Sequence, residues 1–501
     1  LLNLYKMKKN IYLNIICTVL CQITTIISGL IVPRILLGTF GSELNGLVTS
    51  LTQLLNYISL LEGGLGSVVL AALYGPLADK DDILLNQVLK AADAFFKQIA
   101  VVFIGYVLFL GITYPFAVKS SFSPVYIFTM TVILAIGLFV QYFFSITYKL
   151  LLQADQKVYI IQLVQIVTTV INVVLMIVLT RISSELRVVK LGSALVFAIV
   201  PVFYTKYVAS HYNVDLKVKV DKKVLPERWA CFGQNLAFFI HNNTDTVVLT
   251  LFSDLKNVSI YSIYLLVVQS LKNFLLSLSN AFAPLMGKAL AQRDIAEANK
   301  VLNIYEFLMF NVATIVFGCC FVLLPSFVML YTNNVTDANY YQPFFSAILV
   351  VAEFIYCIRT PYIDIVYTAG KFKETAKSAY IEAFLNIAIS VVLVFRLGLV
   401  GIALGTLVGM LYRTIYQVRY ISQNIIYREM KFFFKRSFVS VVVFVTALAI
   451  LSRIKFSFSG TAFSWIKNGV ICLIVFVVCD VLMNILFDRK NVEYLVKKAR
   501  K

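Results

Sequence analysis

Apolar residues run along this chain in unbroken blocks of about 20, parted by short polar connections and without strict alternation inside a block. Blocks of that kind cross a hydrocarbon core as helices, whereas barrel strands would alternate. Breakers and blocks together predict about fourteen spans. The first six are 11–33, 46–74, 98–118, 124–147, 158–181 and 187–206. Six more follow at 230–252, 258–288, 305–331, 342–368, 376–396 and 398–420, and a last pair at 434–453 and 464–487. The expected fold class is an all-α polytopic membrane protein, with two pseudo-symmetric six-helix lobes and a final helix pair. Its divisions are an N-terminal lobe at 1–206, a basic cytoplasmic linker at 207–229, a C-terminal lobe at 230–421, and 422–501 with the last pair and a basic tail. Trp229 and Trp465 each open a span, where an amphipathic ring sits at headgroup level.

Two stretches break the apolar pattern in the same way. "PLADKDDILLNQVLKAADAFF" (76–96) and "KALAQRDIAEANKVLNIYEF" (288–307) are amphipathic and too polar to span, which predicts helices along the inner surface. Their matching places indicate an internal repeat. An even number of spans per half keeps both halves in one orientation, as in transporters whose repeats are related by an axis along the membrane normal.

Composition agrees with a membrane chain. Of 501 residues 60% are hydrophobic and 14% charged, and the mean hydropathy is +0.86, where soluble domains are about a quarter charged. The net charge of +19 is concentrated on one face. Counted over short loops, Lys and Arg favour the side of the N-terminus roughly threefold, which puts both termini in the cytoplasm. The connections holding Arg181, Arg187 and Lys190, and Arg453, Lys455 and Lys467, run against this trend. Lys6, Lys8 and Lys9 resemble the start of a signal peptide, yet the block that follows is long and lacks a small-x-small cleavage site, so it is expected to stay as the first span.

The same charge excludes some functions. Nucleic-acid binding needs a soluble basic module, and "KYVASHYNVDLKVKVDKKVLPER" (206–228) is a solvated tether between lobes or a face for lipid phosphates. The eight cysteines lie in apolar blocks as packing thiols, and with only two histidines neither a metal site nor a cofactor is predicted. No Gly-rich phosphate loop or histidine relay supports bond-making chemistry, so an enzyme is not expected.

Ionisable residues inside the spans are the functional candidates, because each costs about 2.5–3.5 kcal/mol to insert. In "GLIVPRILLGTFG" (29–41), Pro33 is expected in the last turn of the first span, with Gly38 and Gly41 permitting a sharp return. Arg34 is then a helix-end anchor or a cavity-lining group whose fork suits a diphosphate. Glu62 in "SLLEGGLGS" pairs with a cation or faces a glycine-lined gap. Asn242 and Asp245 belong to the polar run "HNNTDT", which lines a watery cavity or forms a closed network. Lys272 lies midway along the eighth span and demands either a salt bridge or a ligand. Arg359, Asp364 and Glu353 share the tenth span and are expected to satisfy one another locally, while Arg413 snorkels from an inner end. The separations Arg34–Glu62 and Asp245–Lys272 are nearly equal with the charge order reversed. Arg34 thus falls level with Asp245 and Glu62 with Lys272, opposite charges that would close an outer gate.

These residues carry a resemblance. "PRILLGTFGSELNGL" (33–47), "LLEGGLGSVVLAALYGPLADKD" (60–81), "YKLLLQADQKVYI" (148–160), "NNTDTVVLTLFSDLKNVSIYSIY" (242–264) and "LGLVGIALGTLVG" (397–409) occur in an order that resembles the polysaccharide-transporter (Wzx-type) flippase branch of the MOP exporter superfamily. The superfamily also holds lipid II flippases and MATE drug exporters. The resemblance implies alternating-access flipping of a polyprenyl-diphosphate-linked oligosaccharide across the bacterial cytoplasmic membrane, for capsule, O-antigen or exopolysaccharide assembly. It implies Arg34, Lys272, Asn242 and Arg359 as substrate-binding residues, and Asp245, Glu62 and Asp364 as ion-coupling or gating residues. Implied partners are the lipid-linked cargo, a coupling H+ or Na+, membrane lipids, glycosyltransferases and a polysaccharide polymerase. The alternatives are a drug/cation antiporter of the same superfamily, a lipid II flippase, a membrane polysaccharide polymerase, or a non-transporting scaffold for glycan assembly. A polymerase would need a sizeable outside loop, and a drug exporter typically stops at twelve spans.

Overall fold

The computed structural model describes residues 2–62, 65–215, 217–218, 243–454, 461–489 and 491–493, and these are helical with no strand. Two compact units result, Leu1–Ser259 and Ile260–Lys501. The first contains α1 (Leu2–Leu55), α2 (Ile58–Glu62), α3 (Leu65–Asp79), α4 (Asp82–Ala117), α5 (Pro124–Val140), a π-helical turn (Gln141–Ser145), α6 (Ile146–Ala154), α7 (Val158–Ile182), α8 (Leu186–Ala198) and α9 (Val200–His211). Helix α10 (243–252) and the start of α11 (Leu255–Leu276) complete it. The second continues with α12 (Ser279–Ala291), α13 (Ile295–Tyr331), α14 (Pro343–Thr368), α15 (Phe372–Leu397), α16 (Leu399–Asn424), α17 (Lys431–Leu451) and α18 (Ala462–Phe487).

Among the described residues, 12 helical segments are long and apolar enough to cross a membrane. The first, Tyr12–Leu60, takes in the first expected span and much of the second. The seventh span lies mostly outside the described residues, as do Trp229, Cys231, His241, Asn242, most of the 207–229 linker and the basic tail. The expectation of about fourteen spans therefore agrees with the fold. Pro33 does not end the first span. It sits inside α1, and the helical path breaks eight residues later at Gly41, whose φ of 81° favours glycine.

The amphipathic stretches are not separate surface helices. Each runs from the last turn of a shorter helix, α3 or α12, through a tight turn into the first turns of one long helix, α4 with 36 residues or α13 with 37. At about 1.5 Å per residue these exceed a hydrocarbon core of about 30 Å, so the polar turns project beyond it as continuations of a span. Local chemistry explains the continuity. Asp81 Oδ1 accepts from the Ile83 and Leu84 amides, and Asp294 Oδ1 from Glu297, so each long helix is capped at its start.

Backbone turns make the internal repeat explicit. Lys80 and Arg293 both adopt φ 56°, and Gln156 and Gly370 adopt 57° and 67°. The residue after each donates its amide five residues back: Asp81 to Pro76, Asp294 to Ala289, Lys157 to Leu152 and Lys371 to Val366, at 2.8–3.0 Å. These are helix ends closed by a left-handed residue, and they recur at one offset along the chain to within a residue. That register sets Glu62 level with Leu275 or Leu276 and Arg34 level with Val247 or Val248. Lys272 and Asp245 thus stand about one helical turn from the levels the charge pattern assigned them.

In the second unit, α15 and α16 pack through Gly401, Gly405 and Gly409. A Cβ at these positions would lie 2.6, 2.8 and 3.0 Å from the backbone of Leu393, Asn386 and Glu382. Close approach through small residues is how helices associate in lipid. Gly405→Leu should cost roughly 1–3 kcal/mol by overpacking. Gly38→Ala, in open space on α1, should be neutral or slightly stabilising. Thermal unfolding in detergent checks both; equal melting of the two variants would remove the glycine seam from the account.

Candidate functional site

Interrupted helices at corresponding places in two halves point to binding sites in transporters, because the freed backbone must line a cavity or be satisfied by protein. Both units have a break, although the register of the turns sets the first level with 269–271, about two helical turns before the second. In the first it falls at Asn56–Tyr57, where the Leu54 carbonyl accepts from the Tyr106 hydroxyl at 2.8 Å. In the second it falls at Ser277–Leu278, between α11 and α12.

Glu62 ends α2, directly beyond the first break, and is half-buried. Its carboxylate accepts from Tyr142 at 3.0 Å. Tyr142 lies in the π-helical turn Gln141–Ser145, a local widening that often marks functional positions. Arg34 is exposed on α1. Asp245 is 8% exposed on α10, between buried Thr244 and Thr246. The stretch 243–259 is held in this unit by Gln53 donating to Asn243, a Ser50–Thr250 hydroxyl contact and Asn45 donating to Ser259, at 2.6–2.8 Å. At the far end of the unit, Tyr212 donates to Asp155, which also pairs with Lys157. Burial first and the Asp155 carboxylate second push the Tyr212 phenol up.

The second unit concentrates cations at the repeat-related position. Tyr356, which matches Tyr142 in the register of the turns, has Lys272 and Arg359 over its ring, their charged groups 3.9 and 5.0 Å from its centroid. Lys272 pairs with Glu353 at 3.0 Å, both nearly fully buried; its counter-charge is in its own unit. Arg359, 0% exposed, pairs with Glu382 at 2.8 Å, and Arg413 meets the other oxygen of Glu382 at 2.5 Å. Three cations thus face two carboxylates. Arg359 Nε and Nη2 and Arg413 Nε are buried with no hydrogen-bond acceptor among the described residues. Beyond the break, Asp364 accepts from Ser279 at 2.6 Å and Tyr305 at 2.8 Å.

Two expectations are corrected here. Glu353, Arg359 and Asp364 do not satisfy one another, because side chains on a helix meet at spacings of three or four and theirs are six and five. They point to α11, α15 and the α12–α13 pair instead. Arg413 does not snorkel; it is bound to Glu382. The sequence reading also missed Glu306, buried on α13, which collects Tyr362, Arg428 and Arg436 at 2.5–2.7 Å. The signal for Glu306 and Glu382 was a lone acid in an apolar helix, weighed for neither.

The last helix pair packs on this unit. Phe476 of α18 lies over Gly318 of α13, and the Ser440 hydroxyl of α17 bonds Thr314 at 2.9 Å. Between α13, α14 and α17 lies an apolar cavity of about 140 Å³, lined among others by Phe317, Phe321, Val350, Phe354 and Phe444.

The MatE family model matches residues 230–392. No curated protein matches the sequence. Among solved structures, a lipid II flippase, MurJ, in an inward closed conformation is similar with a TM-score of 0.66 and 14% identity, covering 96% of this chain and 100% of that one. An inward-facing multidrug resistance MATE family transporter of the MOP superfamily gives 0.64 and 15%, covering 80% and 95%. A MOP superfamily transporter from Pyrococcus furiosus Vc1, described as having a binding pocket of reversed polarity, gives 0.53 and 14%, covering 80% and 95%. The MatE match spans about a third of the chain, and the likenesses to solved structures show a multi-pass helical fold similar to that of these MOP superfamily transporters.

Proposed function

We propose that this chain is a flippase that carries a polyprenyl-diphosphate-linked oligosaccharide across the bacterial cytoplasmic membrane by alternating access, for capsule, O-antigen or exopolysaccharide assembly. The observation that carries the reading is the α17–α18 pair and the apolar cavity that α17 closes against α13 and α14. A polyprenyl tail needs apolar room beside the polar path of its headgroup, and a compact drug does not. The similar lipid II flippase covers the pair, at 96% of this chain, whereas the multidrug transporter covers 80%.

In this reading Arg34, Asn242, Lys272 and Arg359 bind the diphosphate and its first sugar. The excess cation beside Tyr356 and the unsatisfied guanidinium donors of Arg359 suit an anion. Glu62, Asp245 and Asp364 take the coupling H+ or Na+. Asp364 supports this role because two hydroxyls hold it and no cation pairs with it among the described residues. Both termini face the cytoplasm, where glycosyltransferases would supply the cargo. The second reading, a drug/cation antiporter, draws on Asp364 and on the MatE match.

Reconstitution separates the two. In vesicles with a headgroup-labelled polyprenyl-diphosphate oligosaccharide, the protein should expose about half the label to an external quencher within minutes, as a μs–ms conformational cycle permits. Label that stays protected, in vesicles that exchange a cationic dye for H+ or Na+, would establish the antiporter instead.

A further inference from the structure

Helix α16 carries three tyrosines that the functional reading leaves unused. Tyr412, Tyr416 and Tyr420 recur at every fourth residue, with ring centroids 6.3 and 6.4 Å apart and the last two rings nearly parallel, at 6°. All three are half-buried. An interfacial aromatic belt does not account for them, because a belt lies at one depth and this ladder climbs about 12 Å along the helix axis. Nor is this the lipid-facing stripe. The exposed apolar residues of α16 are Val408, Leu411 and Ile415, about 100° around the helix from the tyrosines.

The ladder instead continues the glycine stripe. Tyr416 and Tyr420 follow Gly405 and Gly409 along the face turned to α15. An added Cβ at Gly401, Gly405 or Gly409 would stand 2.6–3.0 Å from the α15 backbone, so the two helices touch there. One turn on, Arg413 reaches Glu382 of α15. Around it, Tyr412, Tyr416 and Tyr420 present partly exposed rings with their hydroxyls. A row of aromatic faces with polar rims, ending at a guanidinium with a buried unsatisfied Nε–H, suits a chain of sugar rings joined to a phosphate. Apolar C–H faces stack on the rings, sugar hydroxyls meet phenols, and the anion lies toward the arginine.

We propose that Tyr412, Tyr416 and Tyr420 form a saccharide track, recognising the glycan portion of the cargo. This rests on the flippase reading and adds which part of the cargo meets which residues. The test uses the purified full-length protein and two probes, undecaprenyl diphosphate and undecaprenyl diphosphate bearing a single N-acetylhexosamine, with binding followed by native mass spectrometry. Wild type should favour the sugar-bearing lipid about tenfold, equivalent to about 1.4 kcal/mol. Tyr416→Leu with Tyr420→Leu should remove that preference while leaving affinity for the bare lipid unchanged. Tyr416→Phe with Tyr420→Phe keeps the rings and should keep most of it, which separates stacking from misfolding. Preference unchanged in the leucine variant would overturn the track while leaving the flippase reading intact. Binding of neither lipid by wild type would overturn the flippase reading itself.

Discussion

Glu382→Ala should lower the stability of the protein in detergent by about 3–5 kcal/mol, the range for stranding a buried charge. That corresponds to a fall in melting temperature of roughly 10 °C for a unit of this size. Glu382 is 1% exposed and, among the described residues, is the carboxylate that Arg359 and Arg413 share. Without it, Arg359 keeps a full charge in a fully buried position with no counter-ion among the described residues. Glu382→Gln retains hydrogen-bond acceptors without the charge and should fall between alanine and wild type. Adding Arg359→Met to Glu382→Ala should recover part of the loss, since residues in one ion network couple by about 0.5–3 kcal/mol. Purely additive losses in that cycle, or an alanine variant melting with wild type, would show that the triad does not hold α14, α15 and α16 together.

The triad also shows what could and could not be read from the sequence. The spans were legible because lipid demands long apolar helices, and hydropathy records that demand directly. Thirteen of the expected segments have their counterpart among the described helices, the first two within one long helical segment, and the helix pair at the end was placed within a few residues. The charge partners were not legible. Glu306 gathers Arg428 and Arg436 from more than 100 residues away, and Lys272 finds Glu353 three helices on. Periodicity reports which face of a helix is polar, and spacing rules reach only one turn. Which distant helix completes a pair is a fact of packing. Arg428 and Arg436 carry no signal of their own for a related reason: a cation near a helix end satisfies the positive-inside rule, which explains a charge without asking what it touches. Pro33 misled in the opposite direction. Proline breaks helices in water, but a span tolerates it, and the break moved to the glycine that could take a positive φ.

The reversed charge order set Arg34 level with Asp245 and Glu62 with Lys272; the register of the repeated turns moves those levels by about one helical turn and makes Tyr142 and Tyr356 the common reference of the two halves. Tyr142 donates to a carboxylate, and Tyr356 lies under two cations. A duplicated framework has thus been given opposite charge on its two copies, which is what separate sites for a coupling cation and an anionic cargo require.

Transport should separate the structural from the functional share of Lys272. Lys272→Met alone strands Glu353 and should both destabilise the protein and abolish flipping, so by itself it decides nothing. Lys272→Met with Glu353→Gln removes both charges and should restore melting to within about 1 kcal/mol of wild type, because well-packed neutral replacements of a buried pair are often neutral in stability. If Lys272 leaves Glu353 to meet the cargo diphosphate, the double variant should still flip roughly thirtyfold more slowly, the equivalent of about 2 kcal/mol for a lost charge-assisted contact. Arg34→Ala provides the independent arm. Arg34 is exposed on α1, so its loss should leave melting unchanged while slowing flipping by a similar factor. Wild-type flipping in the double variant would make the Lys272–Glu353 pair an assembly element only, and wild-type flipping in Arg34→Ala as well would remove both cations from the cargo path. Slow flipping in both well-folded variants has no such structural explanation, because one lacks a buried charge to strand and the other never had one.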